Sequence, residues 1–374
     1  MAALLVVVFH AYQYNRTGAT GIYPYEGRPQ HVFFLGLDGM VSWFFVLSAF
    51  LLALPYVKAV LDGRRATSAR TFLARRAVRI VPLYLVAVSI VWAWRNPVLP
   101  GDWRDLVEHL TFTQVFDRER IFYTIGPAWS LAVEVQFYVV LAVLGGAAAR
   151  LGTRIASRRA RVALLWCGTA ALALVSVGYS FVAAVVLERP KEDFHIWFSL
   201  PAKLVIFAGG IAVAVLYASR PRVLSRAATW VLRLASVTVV AAAMLTRQLT
   251  GGGDVIFHAL CGLGFSLLVL ASVQGPQAGL WHRILSSKVL VWLGLVSYSL
   301  YLWHEPVLLW LAQADLLPVP STSGFVITSA ILVVVGLAVA WASYWTIEYP
   351  ASYLRTRIDG PKRAPAPIVS RPRS

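Results

Sequence analysis

Apolar residues run without alternation for about 20 positions at a time, and such runs recur from one end of the chain to the other. A hydrocarbon core about 30 Å thick needs roughly 20 apolar residues of helix to cross it. Lipid offers the backbone no hydrogen-bond partner, so spanning segments are helices or closed barrels. Barrel strands alternate inward and outward residues, and these runs do not. The pattern therefore predicts an all-α, polytopic transmembrane bundle of about ten helices, at 2–14, 39–58, 80–95, 129–149, 162–187, 200–218, 232–247, 255–274, 289–311 and 323–346. The first run is too short to span and begins at Met1 inside apolar sequence, so it reads as a helix truncated at its N-terminus. A signal peptide would need a basic region before the run and small residues at a cleavage site after it, and neither is present.

Between the runs, the segment 102–116 (DWRDLVEHLTFTQVF) has apolar residues at helical spacing and is expected to lie on the outer face as an amphipathic helix. Residues 1–354 read as one transmembrane domain. Residues 355–374 read as a basic Pro/Arg-rich cytoplasmic tail, disordered from Gly360 onward.

Composition agrees with a membrane solvent: 59% of residues are hydrophobic and 14% charged, against roughly 25% charged in soluble proteins. The net charge of +17 would suit nucleic acid, but the basic residues follow the topology instead. With the N-terminus inside, 24 of the 34 Lys and Arg residues fall on inner segments and ten on outer ones. The positive-inside rule then places both termini in the cytoplasm of a multi-pass protein of the cell (inner) membrane. It also requires an even number of spans, with 289–311 among them. The expected partner is the lipid bilayer, and nucleic acid is not expected. Cys167 and Cys261 lie inside apolar runs without partner spacing, which argues against disulfides and against a zinc site.

Ionisable residues inside spans cost about 2.5–3.5 kcal/mol each on insertion scales and default to functional candidates. His10, in VVVFHAYQY, is a candidate general base; the plainer alternative is a helix-end hydrogen bond. Glu134, in GPAWSLAVEVQFYVV, has Ser130 and Tyr138 four residues to either side, on one helix face. A carboxylate there needs a partner, and an Arg pair serving packing alone is the plainer reading. Ser297, Tyr301 and His304 share a face of SYSLYLWHEPV, with Glu305 beside them; an aromatic belt would produce a similar pattern. Arg70, Arg75, Arg76 and Arg79 precede the third span. They could be a positive-inside anchor or a phosphate clamp, since guanidinium forks match phosphate oxygens in pairs.

These stretches resemble the membrane acyltransferase 3 family, whose members O-acylate glycans and some macrolides. The resemblance is carried by VVVFHAY, DGMVSWFFVLSAFLL, FLARRAVRIVPLY, WSLAVEVQFY, SYSLYLWHEPV and SYWTIEYPA, in the family's order over nearly the whole chain. It implies transfer of an acyl group, acetyl being the commonest, from cytoplasmic acyl-CoA to a hydroxyl of a glycan or macrolide-like acceptor, with no bound cofactor. It implies a catalytic role for His10, with Glu134 counted beside it. Arg76 and Arg79 would support the donor, and Ser130, Tyr301, His304 and Glu348 would line the substrate site. Direct transfer is favoured, and an acyl-enzyme on Ser48 or Ser130 is the alternative route. The Arg that the family pairs with the first-span His, eleven residues earlier, would precede Met1, which accords with a truncated first span. Ala49 stands where the family usually has Gly. The rival readings are a transporter or flippase of a polar or lipid-linked substrate, which inverted repeats or broken helices would favour, and a non-catalytic scaffold.

Overall fold

The computed structural model describes residues 1–250, 254–276 and 279–359. The tail from Gly360, expected to be disordered, lies outside the described residues. In chain order the helices are α1 (Ala2–Tyr14), α2 (Pro29–Gly36), α3 (Met40–Leu61), α4 (Ala69–Arg95), α5 (Trp103–Leu110), α6 (Ala128–Gly152), α7 (Arg158–Phe181) and α8 (Phe194–Trp197). They continue as α9 (Leu200–Ser219), α10 (Arg226–Thr250), α11 (Asp254–Gln274), α12 (Leu280–Leu285), α13 (Lys288–Gln313), α14 (Thr322–Ser343), α15 (Tyr349–Ser352) and α16 (Leu354–Asp359). Among the described residues there is no β-strand, only an isolated bridge between Thr17 and Ile22. The protein is an all-α bundle.

Eight helices among the described residues are long and apolar enough to cross a membrane. The short α1 and the 26-residue α13 are the other two predicted spans. The tyrosines, His304 and Glu305 of α13 lower its mean hydropathy. The bundle's surface is that of a protein dissolved in lipid: Leu174 is 71% exposed and Leu234 63%, a cost in water that hydrocarbon removes. At the centre, α3 packs on α1, α6, α9 and α11, and α9 also packs on α7. Gly210 of α9 allows the closest approach, since a Cβ there would meet the Val46 carbonyl and lie 2.7 Å from the Ala49 methyl. Small residues at such crossings let helix backbones touch, which drives association where hydrophobic burial cannot. Serine side chains start three of the long helices. Ser68 accepts from the Thr71 N–H at 3.1 Å, Ser287 from Leu290 at 3.4 Å and Ser321 from Gly324 at 2.8 Å.

Two expectations need correction. The apolar run predicts the third span at 80–95, but α4 starts at Ala69 and carries the arginine cluster on its first three turns. Apolar length marks only the part in hydrocarbon, so a basic helical extension is invisible to it. The amphipathic segment 102–116 is helical only over Trp103–Leu110, because Phe112 adopts a positive φ of 58° and ends it. Its polar face, moreover, points inward. Asp105 and His109 are buried, while Trp103 and Val107 are exposed. Asp105 takes a short hydrogen bond from Thr124. Tyr84 of α4 donates to the His109 carbonyl at 2.9 Å, and Gln114 donates to Tyr84 at 3.2 Å.

Candidate active site

The predicted site residues gather into three groups strung along the bundle. The first surrounds a cavity of about 430 Å³ at one end of α1, α3, α6 and α13. His10, Gln13, Asp38, Trp129, Tyr301 and Glu305 are among its lining residues. The imidazoles of His10 and His304 stand 4.9 Å apart, centroid to centroid. Tyr301 Oη lies 2.7 Å from Ser130 Oγ, and both hydroxyls reach the Pro127 carbonyl, at 3.2 and 3.0 Å. Pro127 ends the loop into α6, so this one carbonyl fixes Ser130 and Tyr301 together. Glu305 accepts from the backbone N–H of Gly126 on the same loop.

The second group lies deeper. Glu134 meets the hydroxyls of Ser48 and Tyr138, with Arg76 within electrostatic reach. Ser48 is midway along α3, between Val41 in the first cavity and Tyr56 in a second cavity at the opposite end. The fifteen helical steps from Val41 to Tyr56 span about 22 Å. Tyr301 is also within electrostatic reach of Glu134, as well as of Asp38 and Glu305. One side chain thus lies in the first group within electrostatic reach of the second.

The third group is basic. Arg64, Arg75, Arg76 and Arg355 line the second cavity, of about 270 Å³. Arg76 Nε is buried and lacks a hydrogen-bond partner. Arg79 turns elsewhere, to Glu348 at 3.9 Å. Glu348 is buried by a π-helical turn over Tyr344–Glu348 and also accepts a short hydrogen bond from Ser299. The wider turn inserts a residue into the helix, and Glu348 points inward instead of to lipid. Arg76 and Arg79 are therefore not one clamp: Arg76 faces the cavity and Glu134, and Arg79 faces Glu348. Ser297, expected on the Tyr301 face, is half-buried, and its hydroxyl donates to the Gly294 carbonyl at 2.8 Å.

Sequence reading missed one cluster beside the first cavity. Arg247 contacts Asp38 at 3.0 Å, and His258 Nε2 lies 3.7 Å from the same carboxylate oxygen. His258 Nδ1 is 3.2 Å from Ser42 Oγ. Lys203, almost fully buried, sits over the rings of Phe198 at 4.7 Å and Trp129 at 5.8 Å. The signal was available. His258 and Lys203 both stand in apolar runs, and ionisable residues in spans are costly. Counting Lys203 and Arg247 with the outer loops conceals that. Among the described residues, no group of three His, Cys, Asp or Glu side chains could hold a metal ion.

Fold and site together define a polytopic membrane protein with imidazole and carboxylate groups converging inside the bundle. The family model described as an acyltransferase domain matches residues 1–345, so the chain belongs to the acyltransferase 3 family. A Staphylococcus aureus (strain COL) protein provisionally named an O-acetyltransferase is 23% identical over 334 residues, covering 82% of this chain and 49% of that protein. The peptidoglycan O-acetyltransferase OatA of Listeria monocytogenes is 24% identical over 336 residues, covering 82% of this chain and 48% of OatA. BcsY of Komagataeibacter xylinus, provisionally named a membrane-bound transacylase, is 25% identical over 320 residues, covering 80% of this chain and 72% of BcsY. The chain spans about half the length of the first two relatives. No solved structure matches it.

Proposed function

We propose that this chain is a membrane O-acyltransferase that moves an acyl group, acetyl in the simplest case, from cytoplasmic acyl-CoA to a hydroxyl of a glycan or macrolide-like acceptor. The observation that carries the reading is the alignment of His10, Tyr301, Glu134 and Arg76 between two cavities at opposite ends of the bundle. In this reading both termini lie in the cytoplasm of the inner membrane, as the basic loops direct. The arginine-lined cavity then faces the donor nucleotide and the His10 cavity faces the acceptor.

The acceptor hydroxyl gives its proton to His10 as its oxygen bonds the thioester carbonyl carbon. The carbon–sulfur bond breaks, and the CoA thiolate leaves and takes up the proton. Ser130 is already committed to Tyr301 and to the Pro127 carbonyl, which supports direct transfer over an acyl-enzyme on that serine. The names of the relatives, an O-acetyltransferase of peptidoglycan among them, support a glycan hydroxyl as acceptor. The test is acyl transfer from labelled acetyl-CoA by the full chain in nanodiscs, with glycan fragments or a macrolide as acceptor. Replacing His10 with Ala should cut the rate by about a hundredfold or more, the usual worth of a general base. Transfer at the parental rate in that variant would reject the assignment.

A further inference from the structure

A cavity of about 340 Å³ lies away from the candidate active site, between the start of α10 and the short α12. Arg226, Thr229, Trp230, Arg233, Leu280 and Trp281 line it. Arg226 and Arg233 are seven residues apart, two turns along one face of α10. The Arg233 guanidinium sits between two indoles, 5.2 Å from the Trp230 ring and 4.8 Å from the Trp281 ring. Trp281 is itself held by its indole N–H, which donates to Ser272 Oγ at 3.3 Å. Arg233 Nε is buried and has no acceptor, and no described carboxylate pairs with Arg226 or Arg233.

An arginine serving only as a topological anchor snorkels its head into water on a free stem. The Arg233 guanidinium is instead held over two indole rings at the wall of a concave site, and its buried Nε has no acceptor. A buried donor without a partner is costly, and more so when charged. The arrangement is preorganised for an anion. The site also opens toward lipid: Trp230, Val231 and Leu234 on this outer helix are exposed. It lies at the arginine-rich end of the bundle, where Leu224 just before α10 bonds the Gln274 carbonyl at the end of α11. Basic pockets between transmembrane helices with tryptophan at their rim suit phosphate headgroups.

We propose that the α10–α12 cavity binds the phosphate of an anionic membrane lipid. Arg226 and Arg233 donate to the phosphate oxygens, the two indoles frame the headgroup, and Leu280 and Ile284 meet the first acyl carbons. The site is separate from acyl transfer and stands whether or not that reading holds.

The experiment is native mass spectrometry of the full chain from nanodiscs of phosphatidylglycerol and phosphatidylcholine with matched acyl chains. The parent should retain phosphatidylglycerol through detergent stripping, at a preference of at least about tenfold. The doubly substituted R226Q/R233Q chain should lose most of it, on the order of fivefold per arginine, while R283Q outside the cavity should keep it. Adding millimolar inorganic phosphate separates the two phosphate sources. Displacement of the retained lipid by free phosphate, equal retention of the two lipids by the parent, or equal preference in R226Q/R233Q and the parent would each overturn the proposal. Should the double variant fail to fold, the parent's own lipid preference and its response to W281A decide.

Discussion

His10 and His304 face each other across 4.9 Å, their rings tilted by 59°. The second ring has a fixed tautomer. His304 Nδ1 lies 2.7 Å from the Tyr301 carbonyl and 3.3 Å from that of Leu300. Carbonyls only accept, so Nδ1 carries a proton, and in the neutral ring Nε2 presents a lone pair. That Nε2 is buried and has no protein partner. One imidazole thus lines the cavity, and a second stands behind it with its Nε2 not bonded to any protein group. In the acyl-transfer reading, His304 can hold the proton that His10 takes, or orient His10 by accepting from it.

This predicts a distinction between two substitutions. His304→Asn keeps an amide donor near the Nδ1 position and so retains the bonds to α13 carbonyls, but it has no counterpart of Nε2. If the lone pair matters, His304→Asn and His304→Ala should both lower kcat by about a hundredfold, with little change in KM. Measured transfer by His304→Asn near the parental rate would assign His304 a bonding role alone.

Around Glu348 the two partners should differ in weight. The Arg79 contact is long, at 3.9 Å, and Arg79 is 48% exposed. Such pairs contribute about 0–1 kcal/mol. Ser299 is fully buried and donates a short hydrogen bond. Removing it leaves a buried carboxylate oxygen with one partner fewer, at about 1–3 kcal/mol. Ser299→Ala should therefore lower the thermal midpoint of the detergent-solubilised chain more than Arg79→Gln does. The reverse order would show that the ion pair, not the hydroxyl, holds the π-helical turn.

The helices were legible because lipid imposes one rule on every spanning segment, and α1, α6, α9 and α13 begin and end within a few residues of the apolar runs that mark them. The facing of α5 was not legible. Periodicity shows that Asp105 and His109 share a face, but near a membrane either face can turn inward. The pairing of His10 with His304 was legible only as far as both lie toward the same end of their spans. The Asp38, His258 and Arg247 cluster joins residues more than 200 positions apart, and no local spacing announces it. Arg76 and Arg79 are three residues apart in sequence, which puts them on neighbouring rows of one helix. The structure sends them to different carboxylates because Glu134 and Glu348 come from helices on either side.

Ala49 illustrates how a local substitution is read once its neighbour is known. Its methyl faces Gly210, where a Cβ would lie 2.7 Å away and would also meet the Val46 carbonyl. The methyl fits because the opposite position has none. Gly210→Ala should therefore destabilise the chain by about 1–3 kcal/mol through overpacking, and Gly210→Val by more. Reverting Ala49 to Gly should recover part of the first loss and little of the second, since the Val46 backbone cannot withdraw. Midpoints from fluorescence-detected thermal unfolding would settle it, and an unaffected Gly210→Val would refute the close crossing of α3 and α9.

The loop between α4 and α6 should respond to acid. Burial alone would raise the Asp117 carboxyl. The backbone N–H groups of Glu119 at 2.8 Å and Arg120 at 3.0 Å, with the Arg120 guanidinium at 3.2 Å, outweigh it and hold the group below the usual aspartate range. Arg104 adds a contact at 3.0 Å. A depressed folded value means that this stabilisation is fully present above the ordinary aspartate pKa of about 3.9 and is lost as pH falls through the folded value. Exchange of the Glu119 and Arg120 amides should thus be pH-corrected and flat from neutrality to mild acid, then accelerate at lower pH. Asp117→Asn keeps one acceptor oxygen but cannot ionise, so its corrected exchange should be faster at neutrality and indifferent to acid. The same acid step in Asp117→Asn would show that another carboxylate governs the loop.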